Sequence, residues 1–275
     1  MGRMGDFMDK TIGFIGGGNM AGAIIGGIVG SGLVSSNNII VSNPTIKKLE
    51  DLKDKYKVGI TTENIEVAKS SDILFLSVKP NIYPKVIEEI KDKIKEDVII
   101  VSIAAGKDLK GIQWGFGKNV KVLRAMPNTP ALVGEGMTAL MPSKEITEEE
   151  LIELKQIFES FGKAEIIDES LVHAFTAISG SSPAYVFMFI EALADGGVLQ
   201  GMSRDKAYRF AAQALLGSAK MVLETGTHPG QLKDMVCSPG GTTIEAVEAL
   251  EGTGFRYSIM SAVKKCSEKS MTMSK

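Results

Sequence analysis

The stretch TIGFIGGGNMAGAI, which begins at Thr11, restricts the possible fold more than any other part of the chain. A β-branched run ends at Ile15 and is followed by Gly16, Gly18 and the small residue Ala21. This G-x-G-x-x-A spacing between a strand and a helix is typical of a dinucleotide site. The first glycine permits a tight turn, the second lets a pyrophosphate approach the backbone, and the small third residue lets the helix pack closely on the sheet. The stretch therefore predicts a dinucleotide-binding domain.

Strand and helix patterns alternate from this turn to about Ile167. The runs that predict strands are TIGFIG, NIIVSN, VGIT, DILFLSV, DVIIVSI, VKVLRAM, MTALM and AEII. Helical patterns between many of them favour an α/β fold with a mostly parallel, doubly wound Rossmann-type sheet. Thr147 and Glu150 have capping-box spacing at the start of the last helical pattern, and Gly162 is expected to end that helix.

After Glu169 the strand patterns disappear and the chain reads as helices. The two longest candidates are SPAYVFMFIEALADGGVLQG and RDKAYRFAAQALLGSAKMVLETG, the second with Ser203 as its cap and Gly226 as its end. We therefore predict a Rossmann domain over residues 1–168, with residues 1–10 loose, and an all-helical substrate and dimerisation domain over residues 169–275. Because Ala184–Ile190 is apolar almost all round, this helix is expected to be buried against a second subunit.

Composition and charge bear on the partners of the chain. The net charge is only -2 and the basic residues are scattered, so neither a nucleic-acid surface nor a membrane surface is predicted. The apolar run from Ala21 is too short to span a bilayer, and the first ten residues lack the apolar core of a signal peptide. Two cysteines without metal-ligand spacing predict no metal site and favour a reducing cytoplasmic location. A small-molecule ligand is therefore the expected partner.

The end of the second predicted strand bears on which dinucleotide binds. An NAD site usually carries an acidic residue there for the ribose hydroxyl groups. This chain instead has Ser42, Asn43 and Pro44, followed by Lys47 and Lys48, which we interpret as a solvated helix face. Without a carboxylate to repel a 2'-phosphate, NADPH is favoured, with NADH as the alternative.

Two further strand ends predict the nicotinamide side of the same site. FLSVKP ends at Ser77–Pro80, and SIAAG ends at Ala104–Gly106. Ligands of open α/β sheets lie at the carboxyl ends of the strands. Both loops are therefore expected to border the nicotinamide.

A second glycine-rich turn, SPGGTT, begins at Ser238 and also leads into a helix. Thr242 and Glu245 have capping-box spacing, so a purely structural turn is one interpretation. It would place Thr243 at the first helical position, with a hydroxyl that has no obligatory partner. The alternative is a site for a substrate carboxylate, since a glycine pair before a helix offers free N–H groups.

Taken together, these motifs resemble the pyrroline-5-carboxylate reductase family. The resemblance includes IGFIGGGNMA, FLSVKP, RAMPNTPALVGEGMTAL, SGSSPAYVF and HPGQLKDMVCSPGGTTIEAVEALE, and it extends over nearly the whole chain. It implies a Rossmann domain, a helical dimerisation domain, and NAD(P)H-dependent reduction of a cyclic imine to L-proline.

The resemblance also implies roles for individual residues. The cofactor would contact Ile15, Gly16, Gly17, Gly18, Asn19, Met20, Asn43, Asn64, Ser77, Val78, Lys79, Pro80, Ala104, Ala105 and Gly106, with Asn43 and Asn64 near the adenosine 2'-phosphate. The substrate carboxylate would contact Ser238, Gly240, Gly241, Thr242 and Thr243, with Glu169 close to the substrate. The Thr243 hydroxyl would face the ring nitrogen as the catalytic group. The chain departs from the usual pattern at His173, in place of Asp, and at Ser182, in place of Gly, while Met126–Thr129 reads M-P-N-T as in bacterial members.

Two other functions fit parts of the sequence. β-Hydroxyacid dehydrogenases join a Rossmann domain to a helical one, but they use a lysine early in the second domain, and this chain has no lysine between Asp168 and Gln200. A non-catalytic NADP-binding sensor would keep the first turn but has no use for the Thr243 hydroxyl. His228, next to Pro229, is interpreted as a helix cap rather than an acid.

Overall fold

The computed structural model describes residues 8–273, and the prediction of a loose N-terminus lies outside the described residues for residues 1–7. The chain divides into two compact units. The first unit contains the chain up to Gly180 together with the segment from Ser267 onward, and the second unit is Ser181–Cys266. Residues 8–10 are attached to the first unit, because the Met8 N–H donates to Leu33 O at 3.1 Å and Lys10 pairs with Glu153.

The first unit is built around one sheet of eight strands, and every predicted strand is present. They are β1 (Ile12–Ile15), β2 (Ile39–Ser42), β3 (Gly59–Thr61), β4 (Ile73–Leu76), β5 (Ile99–Ser102), β6 (Lys121–Met126), β7 (Gly136–Pro142) and β8 (Gly162–Ile166). The order across the sheet is β3-β2-β1-β4-β5-β6-β7-β8. Neighbouring strands are parallel except β6 and β7, which are antiparallel. The predicted doubly wound Rossmann-type sheet is therefore confirmed.

Helices cover this sheet and make up the second unit. In the first unit they are α1 (Asn19–Ser31), α2 (Ile46–Tyr56), α3 (Asn64–Ser70), α4 (Tyr83–Ile90), α5 (Leu109–Phe116), α6 (Glu148–Glu159) and α7 (Val172–Phe175). In the second unit they are α8 (Ser182–Leu199), α9 (Arg204–Thr225), α10 (Pro229–Val236) and α11 (Thr242–Gly252). The last helix, α12 (Phe255–Met273), begins in the second unit and ends in the segment assigned to the first. No strand follows β8 among the described residues, as the sequence predicted.

The sheet is buried on both faces, because alternate residues of the central strands pack into two apolar clusters. Phe14 and Phe75 stack on one face with ring centroids 4.6 Å apart, and Leu74 belongs to the cluster on the other face. The strand order turns back at β1, since β2 lies on one side of it and β4 on the other. The carboxyl ends of β1, β2, β4 and β5 consequently lie along one edge, where α/β proteins bind ligands.

Two predicted helix ends in the first unit have different outcomes. The capping box of Thr147 and Glu150 is confirmed, with both reciprocal bonds present at the start of α6. The prediction that Gly162 ends this helix is wrong, because α6 ends at Glu159 and Gly162 begins β8. Gly162 has φ +155°, and a Cβ there would lie 2.0 Å from Gly136 O. The glycine is required by the close approach of two strands, not by a helix end.

The helix ends of the second unit largely follow the sequence. Ser203 precedes α9 as predicted, although its side chain makes no capping bond. Gly226 ends α9 in the left-handed conformation, and the His228 ring accepts a hydrogen bond from Gly230 N at the start of α10. Phe187 and Met188 on α8 are 61% and 69% exposed in the single chain. The apolar helix predicted to need a cover is therefore open.

Candidate functional site

The first glycine-rich turn connects β1 to α1 and is fixed by the neighbouring strands. The Gly16 N–H donates to Ser42 O at the end of β2 (2.8 Å), and the Ser77 N–H donates to Ile15 O (2.9 Å). Gly16 has φ +106°, and a Cβ there would lie 2.7 Å from Ser77 O. Only glycine fits this position, because both the backbone conformation and the adjacent carbonyl exclude a side chain. Ala21, the small third residue of the motif, is buried.

Helix α1 begins with its first N–H groups uncapped by any side chain. Its cap position is Gly18, and its first turn carries no acidic residue. Asn19 is exposed and Met20 packs partly against the core. Free N–H groups and the positive end of the helix dipole form a site for an anion. An open cleft of about 800 Å³ extends from Gly17–Asn19 along α1, but the predicted nicotinamide loops do not line it.

The two asparagines predicted near a 2'-phosphate lie at the ends of β2 and β3. The Asn43 Oδ1 atom accepts from the Gly17 N–H at 3.3 Å, so this side chain also supports the first turn. Asn64 begins α3, where its Oδ1 accepts from the Ser42 hydroxyl (2.8 Å) and its Nδ2 donates to Glu89 (2.9 Å). Their contact with a nucleotide stays a prediction.

The loops after β4 and β5 leave the same edge of the sheet. After β4, the Ser77 Oγ atom is buried with no partner among the described residues, Val78 is half-buried, and Lys79 and Pro80 are exposed.

After β5, Ala104 is buried and Ala105 is exposed. Gly106 has φ +74°. The structure thus brings the predicted cofactor residues, which follow five different strands, to one edge of the first unit.

Glu169 lies in the first unit, in an ion pair. Its Oε1 atom accepts from the Arg124 guanidinium (2.8 Å) and from the Leu109 N–H (2.9 Å). The Arg124 side chain is only 4% exposed, so this carboxylate neutralises a buried cation and also caps the start of α5. The predicted contact between Glu169 and the substrate stays a prediction, and Oε2, which has no partner in the described part of the chain, is the oxygen that could make it.

The second glycine-rich turn lies in the second unit and starts α11. The predicted capping box of Thr242 and Glu245 is wrong. Gly241 is the cap residue, Thr242 is the first helical residue, and no side chain caps the helix. The reason is local: Gly240 is left-handed with φ +65°, and the Gly241 N–H closes a turn on Ser238 O at 3.0 Å. The helix therefore begins one residue earlier, and Thr243 is its second residue.

The hydroxyl groups of this turn have no protein partner within residues 8–273. Ser238 and Thr242 are exposed, Thr243 is half-buried, and none of the three side chains makes a hydrogen bond there. Gly240 is exposed and Gly241 is half-buried. Uncapped N–H groups and free hydroxyls together can bind a carboxylate.

The departures from the family pattern lie away from both turns in sequence. His173 Nδ1 shares a hydrogen bond with the Ser270 hydroxyl (2.9 Å) in the first unit. Ser182 is the first residue of α8. In M-P-N-T, the Asn128 amide donates to Ser179 O (3.1 Å) and accepts from the Met137 N–H (2.8 Å), which fixes this loop within the first unit.

Several residues near the predicted site were not predicted from the sequence. Arg124 was visible only as a charge inside the apolar run VKVLRAM, and Tyr83 as an aromatic residue after the loop that follows β4. Glu89, the partner of Asn64, carried no signal. Local residue spacing does not indicate a hydrogen-bond partner on a distant segment, so these contacts could be identified only from the folded structure.

Comparison with known proteins follows the same division of the chain. The family model "NADP oxidoreductase coenzyme F420-dependent" matches residues 11–106, and "Pyrroline-5-carboxylate reductase dimerisation" matches residues 169–273. The pyrroline-5-carboxylate reductase of Escherichia coli (strain K12) is 53% identical over 268 residues, which cover 98% of this chain and 100% of that protein.

Solved structures agree with this relationship. A pyrroline-5-carboxylate reductase from Coxiella burnetii is 34% identical with a TM-score of 0.92, covering 98% of this chain and 100% of that one. Plasmodium falciparum pyrroline carboxylate reductase with NADP bound is 33% identical with a TM-score of 0.88 and the same coverage. The chain therefore belongs to the pyrroline-5-carboxylate reductase family of oxidoreductases.

Proposed function

We propose that this enzyme reduces 1-pyrroline-5-carboxylate to L-proline, the last step of proline biosynthesis, with NADPH as the favoured hydride donor and NADH as the alternative. The observation that carries the proposal is the pair of helices, α1 and α11, that each begin at a glycine without a side-chain cap. A dinucleotide pyrophosphate and a substrate carboxylate are two anions that such helix starts can bind. The 53% identity to the Escherichia coli reductase supports the same reaction.

The residues of the first turn fit a dinucleotide. The cradle at Gly16 has no room for a Cβ, and the Ser77 hydroxyl is a buried polar group without a protein partner among residues 8–273. We assign the pyrophosphate to Gly16–Met20 and the nicotinamide ribose to Ser77–Pro80 and Ala104–Gly106. When bound, the dinucleotide supplies the hydride.

The choice of NADPH rests on the end of β2. Ser42, Asn43 and Asn64 are neutral there, so no carboxylate among them opposes a 2'-phosphate. The Plasmodium falciparum relative was solved with NADP bound, which supports NADPH as the cofactor here. The Asn64 Nδ2 group would donate to the phosphate, either with its second hydrogen or by releasing Glu89, while its Oδ1 atom keeps the bond from the Ser42 hydroxyl.

For the substrate, we assign the carboxylate to Ser238 and Gly240–Thr243, with Glu169 near the ring. A protonated imine is already an electrophile, so the protein needs to supply orientation more than a strong acid. A neutral threonine hydroxyl can accept a hydrogen bond from the iminium N–H or pass a proton from water. Thr243 is the catalytic group in this proposal because its hydroxyl is half-buried and free of protein partners in the described part of the chain.

We further propose a homodimer or larger homo-oligomer in the cytoplasm, with the domain boundary at Asp168. Among the described residues, one helical stretch, Glu169–Leu199, is long and apolar enough to cross a membrane, and 11% of its apolar window is buried in the single chain. The dimerisation model covers this stretch, so we assign its exposed apolar face to a subunit interface.

A steady-state assay of NADPH oxidation tests the reaction. Saturable turnover with 1-pyrroline-5-carboxylate, and none with β-hydroxyacids and NADP⁺, is the expected result. Turnover of a β-hydroxyacid would support the dehydrogenase instead. Tight NADPH binding without turnover of either substrate would support a sensor.

A further inference from the structure

Tyr83 is a buried hydroxyl group to which neither the motifs nor the proposed mechanism gives a role. It is the first residue of α4, and its side chain is 1% exposed. Its hydroxyl donates to Leu76 O at 2.7 Å and lies 3.0 Å from the Ser102 Oγ atom. Burial raises the pKa of this hydroxyl, although hydrogen bonds from Ser102 and from the backbone of Ala104 and Ile103 oppose the shift. The group therefore remains a protonated donor at any physiological pH.

Both partners of this hydroxyl occupy the same position in their strands. Leu76 is the last residue of β4, Ser102 is the last residue of β5, and the two are paired in the sheet. Ser77 follows Leu76 directly and Ala104 follows Ser102 after one residue, and each begins a segment assigned to the nicotinamide ribose. One phenol oxygen thus connects the points from which both loops leave the sheet.

The same bond also closes the first of these loops. The chain leaves β4 after Leu76, passes through Ser77–Pro80, and returns seven residues later with the Tyr83 hydroxyl bonded to the Leu76 carbonyl. A short helical turn at Pro80–Ile82, in which the Ile82 N–H donates to Lys79 O (2.9 Å), shapes the return. Tyr83 therefore holds the loop at its base, together with the Ser77 N–H that donates to Ile15 O.

We propose that Tyr83 is a positioning residue for hydride transfer, because its hydroxyl sets the Ser77–Pro80 and Ala104–Gly106 loops relative to each other. The proposal rests on the function proposed above. In the assignment above, the pyrophosphate and the adenosine lie at other loops, so most of the affinity for the dinucleotide is expected to come from contacts away from Tyr83. Loss of its hydroxyl should therefore reduce the rate of the chemical step more than it weakens binding, since a misplacement of about 1 Å can cost about 100-fold in rate.

The test replaces Tyr83 by Phe, which keeps the ring and removes only the oxygen. We expect kcat with NADPH and 1-pyrroline-5-carboxylate to fall by about 10-fold, within the range for misplaced reactants, while the Kd for NADPH changes by less than about 3-fold. The kinetic isotope effect on kcat with NADPH deuterated at the transferred position should rise, because hydride transfer becomes more rate-limiting. Ser102→Ala removes the second partner and should give the same pattern, with the double variant no worse than Tyr83→Phe alone.

Ser71→Ala is the matched control. The Ser71 hydroxyl is also fully buried and bonded to a backbone carbonyl, Val67 O at 2.6 Å, but it precedes β4 at the opposite edge of the sheet. The Ser71→Ala variant should have a lower melting temperature but an unchanged kcat and isotope effect.

The proposal is overturned if Tyr83→Phe and Ser102→Ala behave like Ser71→Ala, with lower stability and wild-type kcat and isotope effect. If Tyr83→Phe does not fold, Ser102→Ala decides by the same readouts. A wild-type enzyme without turnover would overturn the proposed function as well, so the two failures are distinguished by the wild-type assay.

Discussion

In the first glycine-rich turn a Cβ on Gly16 would lie 2.7 Å from a neighbouring carbonyl, whereas in the second turn a Cβ on Gly240 would meet no atom within 4 Å. Both turns start an uncapped helix, and both contain a left-handed glycine. The first is shaped by adjacent strands, through Ser42 and Ser77, whereas the hydrogen bond found for the second among residues 8–273 is the local one from Gly241 N–H to Ser238 O. The first turn is therefore preorganised by the folding of the sheet. The uncapped N–H groups and the hydroxyls of the second turn have no partner among the described residues, so we assign them to a ligand.

The largest expected difference between the turns comes from alanine at their left-handed glycines. Gly16→Ala places a methyl group against Ser77 O at φ +106°. The backbone strain of about 1–3 kcal/mol and the steric overlap with Ser77 O together should reduce NADPH affinity by about 100-fold or prevent folding. Gly240→Ala meets no neighbour and should cost only about 1–2 kcal/mol of stability. Calorimetry and NADPH titration measure both effects.

Gly30→Ala is the control for that pair. Gly30 lies on the same helix as the first turn, and a Cβ there would meet no atom within 4 Å. Alanine should stabilise α1 by about 0.5–1 kcal/mol and leave NADPH binding unchanged. Wild-type NADPH affinity in Gly16→Ala would show that the sheet does not dictate the first turn.

The second unit should depend on a partner subunit in a way that the sheet does not. Phe187→Asp introduces a charge on the open apolar face of α8 and is expected to dissociate or unfold the protein. Ile152→Asp on α6 is the matched control, because both side chains are 61% exposed. Light scattering at micromolar concentration should show an oligomer for wild type and the control, and a smaller or aggregated species for Phe187→Asp. A monomeric wild type would contradict the interface.

The Thr243→Val variant tests whether the second turn binds the substrate. It keeps the side-chain shape and removes a hydroxyl that has no protein partner in the part of the chain the structure describes. We expect kcat/KM for 1-pyrroline-5-carboxylate to fall by about 10- to 1000-fold with NADPH affinity nearly unchanged. Thr253→Val is the control, since that hydroxyl bonds to Ala249 O at 3.0 Å at the other end of α11. Wild-type kinetics for Thr243→Val would return the turn to a purely structural role.

Asn43→Asp probes the adenosine end of the first turn. An aspartate oxygen can still accept from the Gly17 N–H, so the turn should keep its shape. Repulsion of a 2'-phosphate should raise the KM for NADPH roughly 5- to 150-fold, which corresponds to about 1–3 kcal/mol of binding free energy, with little change for NADH. Asn119→Asp adds the same charge to an exposed residue just before β6, at the opposite edge of the sheet, and should affect neither cofactor. Equal effects on both cofactors would contradict the assignment of Asn43.

The contrast between the turns also shows why sequence was informative in one unit and less so in the other. All eight strands followed from β-branched runs, and the cofactor loops followed from strand order, since parallel strands end at one edge. Gly162 was misassigned because its constraint comes from Gly136, which is distant in sequence. The Arg124–Glu169 pair was missed for the same reason. In the second turn, a capping-box spacing was present, but the left-handed Gly240 moved the helix start by one residue.

The smallest expected effect follows from that one-residue shift. Because Gly241 is the cap and Thr242 makes no side-chain bond to the helix start, Thr242→Ala removes no capping interaction. Its free energy of unfolding should change by only a few tenths of a kcal/mol, the usual range for a surface substitution without a named role. Thr147→Ala is the matched comparison, since the Thr147 hydroxyl accepts from the Glu150 N–H at 3.3 Å in a complete capping box. That variant should lose about 1 kcal/mol, measured by urea denaturation under the same conditions. Equal losses for the two variants would mean that Thr242 caps α11 in solution, and the uncapped helix start proposed for the substrate carboxylate would then be filled by the protein itself.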